Sequence, residues 1–203
     1  PDADMRNVGL FLQGDWRLHE RFSVITGVRY HDVHAETRQT AGLPDSVAGL
    51  KANNRTTVYA VNGIYRLTDH VSAVATYGRG FRAPNLIERY FSGPSTDGTA
   101  IQVANPGLDA ETSTNVDVGL RVSVARVEAE WFYFRNNLKD GILTRPTGRT
   151  IGRLAEFQNI NVERLRTSGH EATLRVDLGR GFDLNTNYTK LQTKNPDRPD
   201  IPV

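Results

Sequence analysis

Two glutamates on one predicted strand are the residues best placed for acid–base chemistry. Glu128 and Glu130 are separated by one residue in a stretch that alternates polar and apolar side chains. Alternate residues of a strand share a face, so the two carboxylates would lie about 7 Å apart. Paired carboxyl groups can act as general acid, base or nucleophile. The pair is therefore the first candidate for a catalytic site.

Arginines at matching positions of other predicted strands offer a simpler role for these glutamates. They share the polar faces and would form ion pairs there: Arg17, Arg29, Arg66, Arg121 and Arg175. The chain has no cysteine and no serine in a nucleophile elbow. His31 and His34 are three residues apart, so they face opposite sides of a strand and suit no shared metal ion. We predict no catalytic residue, no metal site and no cofactor, and hence no enzyme.

Cationic and aromatic side chains concentrate in the longest predicted connection, residues 81–111. Such a surface suits an anionic, partly apolar ligand, because a planar guanidinium donates several hydrogen bonds. Loops on a rigid scaffold are also where ligands are commonly met. The candidate ligand contacts are Arg82, Arg89, Tyr90 and Phe91. The alternative is a structural segment in which Pro84 fixes the exit of the connection and Phe81 packs at its rim.

Strict alternation of apolar and polar residues predicts the strands that must position these groups. In residues 172–178 the even positions are aliphatic or alanine and the odd positions are polar, and residues 116–124 and 182–188 follow the same rule. Each such strand has one apolar and one polar face. Short turns near residues 20, 69, 125 and 180 alternate with long connections. This pattern predicts an all-β fold, an antiparallel up-and-down meander of about eight strands in a transmembrane β-barrel.

The boundaries follow from the turns and from the polar stretches between them. Strands are predicted at residues 7–18, 22–38, 55–67 and 71–80, followed by one that ends at 124, one that starts at 127, and two that meet at 179–181. Long connections are predicted at residues 39–54, 81–111 and 139–156. We expect His170 on the apolar, lipid-facing side, and tyrosine and tryptophan near the strand ends, as in interfacial belts.

Composition excludes several classes of function. The 203 residues carry 25 basic and 23 acidic side chains, a net charge of +2 without a basic cluster, which argues against nucleic acid. The chain contains no run of about 18 apolar residues, so no transmembrane helix is predicted. A hydrophobic content of 38% is low for a thick soluble core but fits strands with one polar face. A soluble all-β binding module remains the alternative on pattern alone.

Several short motifs occur in a recognisable order. Residues 81–88 read FRAPNLIE and residues 105–113 read NPGLDAETS; they are followed by GLR at 119–121, NI at 159–160 and GHE at 169–171. In this order the chain resembles TonB-dependent outer-membrane receptors along nearly its whole length. The residues that carry the two main motifs are Phe81, Arg82, Ala83, Pro84, Asn105, Pro106, Leu108 and Glu111.

The resemblance implies a receptor in the outer membrane of a Gram-negative bacterium. Residues 1–203 would be a fragment of its large transmembrane β-barrel, from the C-terminal half of the barrel domain, with the plug domain and the terminal strands outside this chain. The expected ligand is a ferric siderophore or another metal chelate, the expected partner is TonB, reached through the plug, and lipid would surround the barrel. Haem receptors of the family carry a histidine between the two motifs, and residues 81–108 contain none. A passive or adhesive barrel is the alternative function.

Overall fold

The computed structural model describes residues 2–38, 48–95 and 98–196. In these residues the chain forms one sheet and one short helix. The elements are β1 (Ala3–His19), β2 (Phe22–Thr37), β3 (Lys51–Arg66), β4 (Val71–Arg82), α1 (Leu86–Tyr90), β5 (Gly93–Pro94), β6 (Ala100–Val103), β7 (Glu111–Val124), β8 (Val127–Ile151), β9 (Leu154–Gly179) and β10 (Phe182–Lys194). No helix in the described part of the chain is long and apolar enough to span a membrane.

Eight long strands form the predicted meander. The spatial order is β1-β2-β3-β4-β7-β8-β9, with β10 on the far side of β9, and every pair in this series is antiparallel. The short turns leave one end of the sheet, and two of them place non-glycine residues, Ala125 and Arg180, at φ angles of 48° and 55°. The long connections leave the opposite end. The all-β, up-and-down prediction is therefore confirmed.

The predicted connection at residues 139–156 is wrong. β8 and β9 continue through most of it and turn at residues 152–153, so they form a long β8–β9 hairpin. Its register shifts between Pro146 and Thr150, an irregularity that absorbs Pro146 and Gly148. Both faces of this distal part carry polar residues, so the alternation that reveals a membrane-crossing strand is absent.

Two other predicted connections also contain strands. β3 begins at Lys51, earlier than the predicted residue 55; residues 39–47 lie outside the described residues. The 81–111 connection contains α1, β5 and β6, and β6 pairs in parallel with residues 155–158 of β9. The prediction of a purely antiparallel sheet is therefore wrong at this one place among the described residues. β6 lies along the part of the β9 edge that β10 does not cover.

The strand registers separate the two predicted faces. Leu120 lies opposite Trp131, and Ala129 lies opposite Leu174, whereas Arg121 lies opposite Glu130. The predicted apolar set shares one face: Leu120, Val122, Leu174, Val176, Leu184 and Tyr188. The predicted polar set shares the other: Arg121, Glu171, Arg175, Asp177 and Asn185. Both assignments are confirmed.

The apolar face is uncovered across the sheet. Leu120, Trp131 and Tyr188 are 43%, 44% and 60% exposed. His170 lies on this face as predicted, stacked on Trp131 with ring centroids 5.6 Å apart. A continuous exposed apolar surface of this extent marks a contact with lipid or with another protein.

Two of the arginines predicted to form ion pairs do so on the polar face. Arg121 Nε lies 3.0 Å from Glu130 Oε1, and Arg175 Nη1 lies 3.7 Å from Glu128 Oε2. Arg175 also donates a 2.9 Å hydrogen bond to Asn185. Both glutamates are therefore neutralised by arginines of neighbouring strands, and the arrangement gives no support to acid–base catalysis.

Candidate functional site

The β4–β7 connection, residues 83–110, starts and ends at one ion-pair cluster. Arg82, the last residue of β4, donates from Nε to Glu111, the first residue of β7, and from Nη1 to both oxygens of Glu88 at 2.9 and 2.8 Å. The Ile142 backbone N–H donates to the other Glu111 oxygen at 2.7 Å. The cluster fixes both ends of the connection to each other and to β8.

The charges of this cluster stabilise one another. The hydrogen bond to Glu111 raises the pKa of Arg82 despite the opposing effect of burial. Burial acts to raise the pKa of Glu111, but the hydrogen bonds from Arg82 and Ile142 and the charge of Arg82 outweigh it, so the pKa is lowered. Both groups are therefore ionised at neutral pH.

The helix α1 has a local cause in the sequence. The Asn85 side chain accepts a 2.8 Å hydrogen bond from the Glu88 N–H, and the Glu88 carboxylate accepts a 2.9 Å bond from the Asn85 N–H. This reciprocal capping box starts a helix immediately after Pro84. Asn85 and Glu88 were the signal for α1 that the sequence interpretation missed.

The second motif segment is bound to α1 and to the β8–β9 hairpin. The Asn105 N–H donates to the Arg89 carbonyl at 2.9 Å, and its side-chain amide donates to the Asn159 carbonyl at 2.8 Å. The Asn159 amide donates to the Glu88 carbonyl at 2.9 Å, and Thr144 donates to Asn159 Oδ1 at 2.7 Å. Asn159 is therefore central to this site, and its contacts span too much sequence to be visible from local pattern.

The predicted ligand contacts occupy different environments. Arg89 and Tyr90 are only 4% and 1% exposed, whereas Arg82 is exposed and Phe91 is half-buried. Burial lowers the pKa of Arg89 and raises that of Tyr90. Arg89 Nη1 donates to the Pro106 carbonyl at 2.9 Å. Arg89 Nε and Nη2 and the Tyr90 hydroxyl have no hydrogen-bond partner among the described residues.

The motif residues around them are mainly structural in their contacts. The Phe81 ring lies 5.7 Å from the His31 ring, centroid to centroid. Pro84 is buried, and Leu108 is among the largest fully buried side chains of the described residues. The role of the predicted ligand contacts in ligand capture stays a prediction.

A concavity of about 730 Å³ lies on the polar face beside the cluster. Its lining combines polar side chains such as Arg82 and Asn115 with apolar ones such as Phe134 and Leu165. The Asn136 side chain donates a 2.6 Å hydrogen bond to the Asn115 side chain on the neighbouring strand. The concavity therefore has a wall of mixed polarity that leads to the β4–β7 connection.

The family model described as "TonB dependent receptor-like, beta-barrel" matches residues 1–202. This chain belongs to the TonB-dependent receptor β-barrel family. The family consists of transport receptors of the outer membrane and not of enzymes, so the resemblance drawn from the motifs is confirmed.

The names of this chain's relatives state different ligands. The chain is 30% identical over 160 residues to the ferric enterobactin receptor of Pseudomonas aeruginosa, covering 70% of this chain and 21% of the relative. It is 28% identical over 152 residues to the heme/hemopexin utilization protein C of Haemophilus influenzae, covering 66% of this chain and 21% of the relative. The chain therefore spans about a fifth of the length of these receptors.

The fold is shared with solved receptor barrels. The copper transporter OprC superposes with a TM-score of 0.80 at 22% identity, over 98% of this chain and 30% of that one. At this identity the likeness concerns the fold alone. The eight-strand meander and its long hairpin are therefore a segment of a known barrel architecture.

The ion-pair cluster predicts a pH-dependent protection of the β4–β7 connection. The pKa of Glu111 is lower in the folded state than in the unfolded state. The contribution of Glu111 to the stability of the connection is therefore complete above the unfolded pKa of about 4.3, and it is lost as the pH falls through the folded-state pKa. Hydrogen exchange of residues 83–110, corrected for intrinsic rates, should accelerate as the pH falls below about 4.3 in the wild type. In Glu111→Gln it should already be fast at pH 7, with little further change.

A control is available on the polar face, away from the connection. Glu130 pairs with Arg121, whose Nε lies 3.0 Å from Glu130 Oε1. Glu130→Gln should leave the exchange of residues 83–110 unchanged. Equal acceleration in the two variants would show that Glu111 has no specific role in holding the connection.

Proposed function

We propose that this chain is part of the barrel of a receptor that imports a scarce metal chelate, most suitably a ferric siderophore, across the outer membrane of a Gram-negative bacterium. The observation that carries the proposal is a buried arginine and tyrosine, Arg89 and Tyr90, with unused donors inside a connection at the end of the sheet opposite the tight turns. Family membership and the ferric enterobactin receptor among the relatives support the cargo class.

Buried hydrogen-bond donors without partners favour the binding of a ligand that supplies acceptors. A buried donor without a partner costs about 1–3 kcal/mol. Arg89 Nε and Nη2 and the Tyr90 hydroxyl are such donors among the described residues. An anionic chelate with several oxygen acceptors would satisfy them, and a guanidinium is well suited to such anions. Ligand binding would thus be favoured by a shift of α1 that brings these groups to the chelate.

The remaining predicted contacts have supporting roles in this proposal. Arg82 is held by Glu88 and Glu111, so it fixes the base of the connection at the edge of the concavity. Phe91, half-buried beside Tyr90, supplies an apolar surface for the organic part of a chelate. The motif residues Asn105, Pro106 and Leu108 keep the connection folded against the hairpin.

Haem is a less suitable cargo for this site. One relative is a heme/hemopexin utilization protein, but residues 81–108 of this chain contain no histidine to ligate haem iron. An arginine–tyrosine donor pair fits the oxygen atoms of an anionic chelate better.

The proposal assigns the partners as follows. Lipid covers the apolar face, the plug of the intact receptor fills the polar side, and TonB supplies energy through that plug. The tight turns face the periplasm and the β8–β9 hairpin faces the medium, as in other barrels of this type.

Arg89→Met in the intact receptor tests the ligand role. Methionine retains much of the apolar volume but removes the donors, so folded stability should stay within about 1 kcal/mol while affinity for a ferric catecholate falls about tenfold or more. Arg145→Met is the matched control, because Arg145 is exposed on the distal part of β8. Binding is measured by fluorescence quenching and import with radioactive iron, with and without TonB.

Three results would contradict the proposal. Unchanged affinity in Arg89→Met would remove Arg89 from the site. Equal losses in both variants would point to a general charge effect. Import that continues unchanged without TonB would favour the passive barrel instead.

A further inference from the structure

Three strands carry a tyrosine followed two residues later by a cation on the apolar face. The pairs are Tyr77 and Arg79 on β4, Tyr133 and Arg135 on β8, and Tyr188 and Lys190 on β10. Residues two apart on a strand point to the same side. Each cation therefore lies on the side of the exposed apolar surface, one position beyond an interfacial tyrosine.

The strand registers bring these tyrosines into one row. Tyr77 lies opposite Val116 and Tyr133 lies opposite Val118, a displacement of two residues across two strands. Two residues along a strand, about 6.6 Å, over two strand spacings, about 9.6 Å, give an incline of about 35°. Strands of membrane barrels tilt by about 35–45° from the barrel axis. Both tyrosines therefore lie at the same height in the membrane.

The cations repeat the same displacement. Arg79 lies opposite Thr114 and Arg135 lies opposite Val116. The next step is identical: Arg135 lies opposite Ser168, and Lys190 lies opposite His170. The three cations, here named the cation row, therefore form a level line directly beyond the tyrosines, with about 12 Å between neighbours.

The charges of the cation row are available to an external partner. All three side chains are exposed, and within the described part of the chain none of them forms an ion pair or a side-chain hydrogen bond. The residues paired with them in the sheet, Thr114, Val116, Ser168 and His170, include no carboxylate. Other arginines of the chain, such as Arg121 and Arg82, have acidic partners.

The position of the cation row along the strands corresponds to the level of the lipid headgroups. It lies toward the end of the sheet that carries the long connections, away from the tight turns at residues 125–126 and 180–181. Tyrosine marks the boundary between hydrocarbon and headgroups. Cations just beyond that boundary meet headgroup phosphates, to which arginine and lysine bind strongly.

We propose that the cation row binds the phosphate groups of an anionic lipid headgroup in the outer leaflet. This proposal rests on the proposed function only in requiring a membrane-embedded barrel, and it is independent of the imported ligand. A spacing of about 12 Å prevents the three cations from converging on one phosphate, so the row fits a headgroup with several phosphates or two adjacent headgroups. The tyrosine row below it contacts the acyl-chain boundary.

The test uses the intact, delipidated receptor in neutral detergent, with bound lipid counted by native mass spectrometry. The probes are bisphosphorylated lipid A, the same lipid without phosphates, and inorganic phosphate. The wild type should prefer the phosphorylated lipid. The variant Arg79→Gln/Arg135→Gln/Lys190→Gln should lose on the order of 100-fold in affinity for it, since each cation near a charged surface contributes about fivefold.

A matched control removes three cations at the opposite end of the sheet. Arg21→Gln/Arg126→Gln/Arg180→Gln has the same net charge and should keep the preference. Heat-modifiable migration on gels, which reports a folded barrel, should persist in both variants. If the wild-type protein forms no barrel in membranes, the proposed function fails together with this proposal. If the barrel forms but shows no lipid preference, only this proposal fails.

Other outcomes bear on the row directly. Retention of the preference in the first triple variant, or equal loss in the control, would overturn the proposal. Binding of inorganic phosphate as tight as that of the lipid would also overturn it, because the site would then serve a free anion.

Discussion

Leu174→Arg is expected to lower the free energy of unfolding of the intact receptor by about 2–4 kcal/mol, the cost of an arginine at the bilayer midplane. Leu174 lies on the apolar face opposite Ala129 and Thr186. It is midway between His170, which lies opposite Tyr133 of the tyrosine row, and the tight turn that follows Gly179. At this depth lipid offers no acceptor to the guanidinium.

The adjacent residue is the matched control for this substitution. Thr173 lies on the polar face, opposite Glu130 and Asn187, and donates a 3.1 Å hydrogen bond to Asn187. Thr173→Arg places the same charge where water and Glu130 can stabilise it, so its cost should stay below about 1 kcal/mol. Denaturant unfolding in phospholipid vesicles measures both. Equal costs would mean that the two faces do not meet different solvents.

Gly169→Ala is expected to destabilise the barrel by about 1–3 kcal/mol or more, the usual cost of forcing atoms into a filled space. A Cβ at Gly169 would lie 2.1 Å from the Lys190 carbonyl oxygen, 2.9 Å from the Leu191 Cα and 3.0 Å from the Phe134 ring. Two of these neighbours are backbone atoms of β10, so relief requires β10 to move away from β9. This close approach explains a glycine at that position.

Gly27→Ala is the control, because no atom lies within 4 Å of a Cβ built at Gly27. Glycine weakens a strand through its conformational entropy, so this variant should be neutral or more stable by about 0.5–1 kcal/mol. Thermal or denaturant unfolding of the two variants in the same vesicles gives the comparison. A neutral Gly169→Ala would refute the close contact between β9 and β10.

The long strands of the meander were predictable because one face of each is apolar and the other is polar. Residues 172–178 alternate strictly, and the turn at residues 179–181 ends the pattern, so both strands beside it were located from sequence. Residues 139–156 carry polar side chains on both faces, so the alternation is missing and the strands there could not be located from the sequence. Pro146 and Gly148, residue types that are typical of loops, are accommodated in the hairpin at an irregular register.

The candidate site was predictable only in its local parts. The segment from Arg82 to Phe91 was recognised by its charged and aromatic residues, and the capping box of Asn85 and Glu88 was present in the sequence as a further local signal. The contacts that organise the site join distant positions, such as Asn105 with Asn159. Such pairings depend on strand order and register, which no short segment encodes.

The parallel pairing of β6 with β9 makes two surface segments inseparable. The β4–β7 connection and the β8–β9 hairpin share backbone hydrogen bonds there, and Gln158 donates to the Ala104 carbonyl at 2.9 Å beside them. The connection and the hairpin therefore form one structural unit rather than two independent loops. A chimera that exchanges one segment without the other would leave the recipient with unmatched strand edges, so the two segments have to be exchanged together.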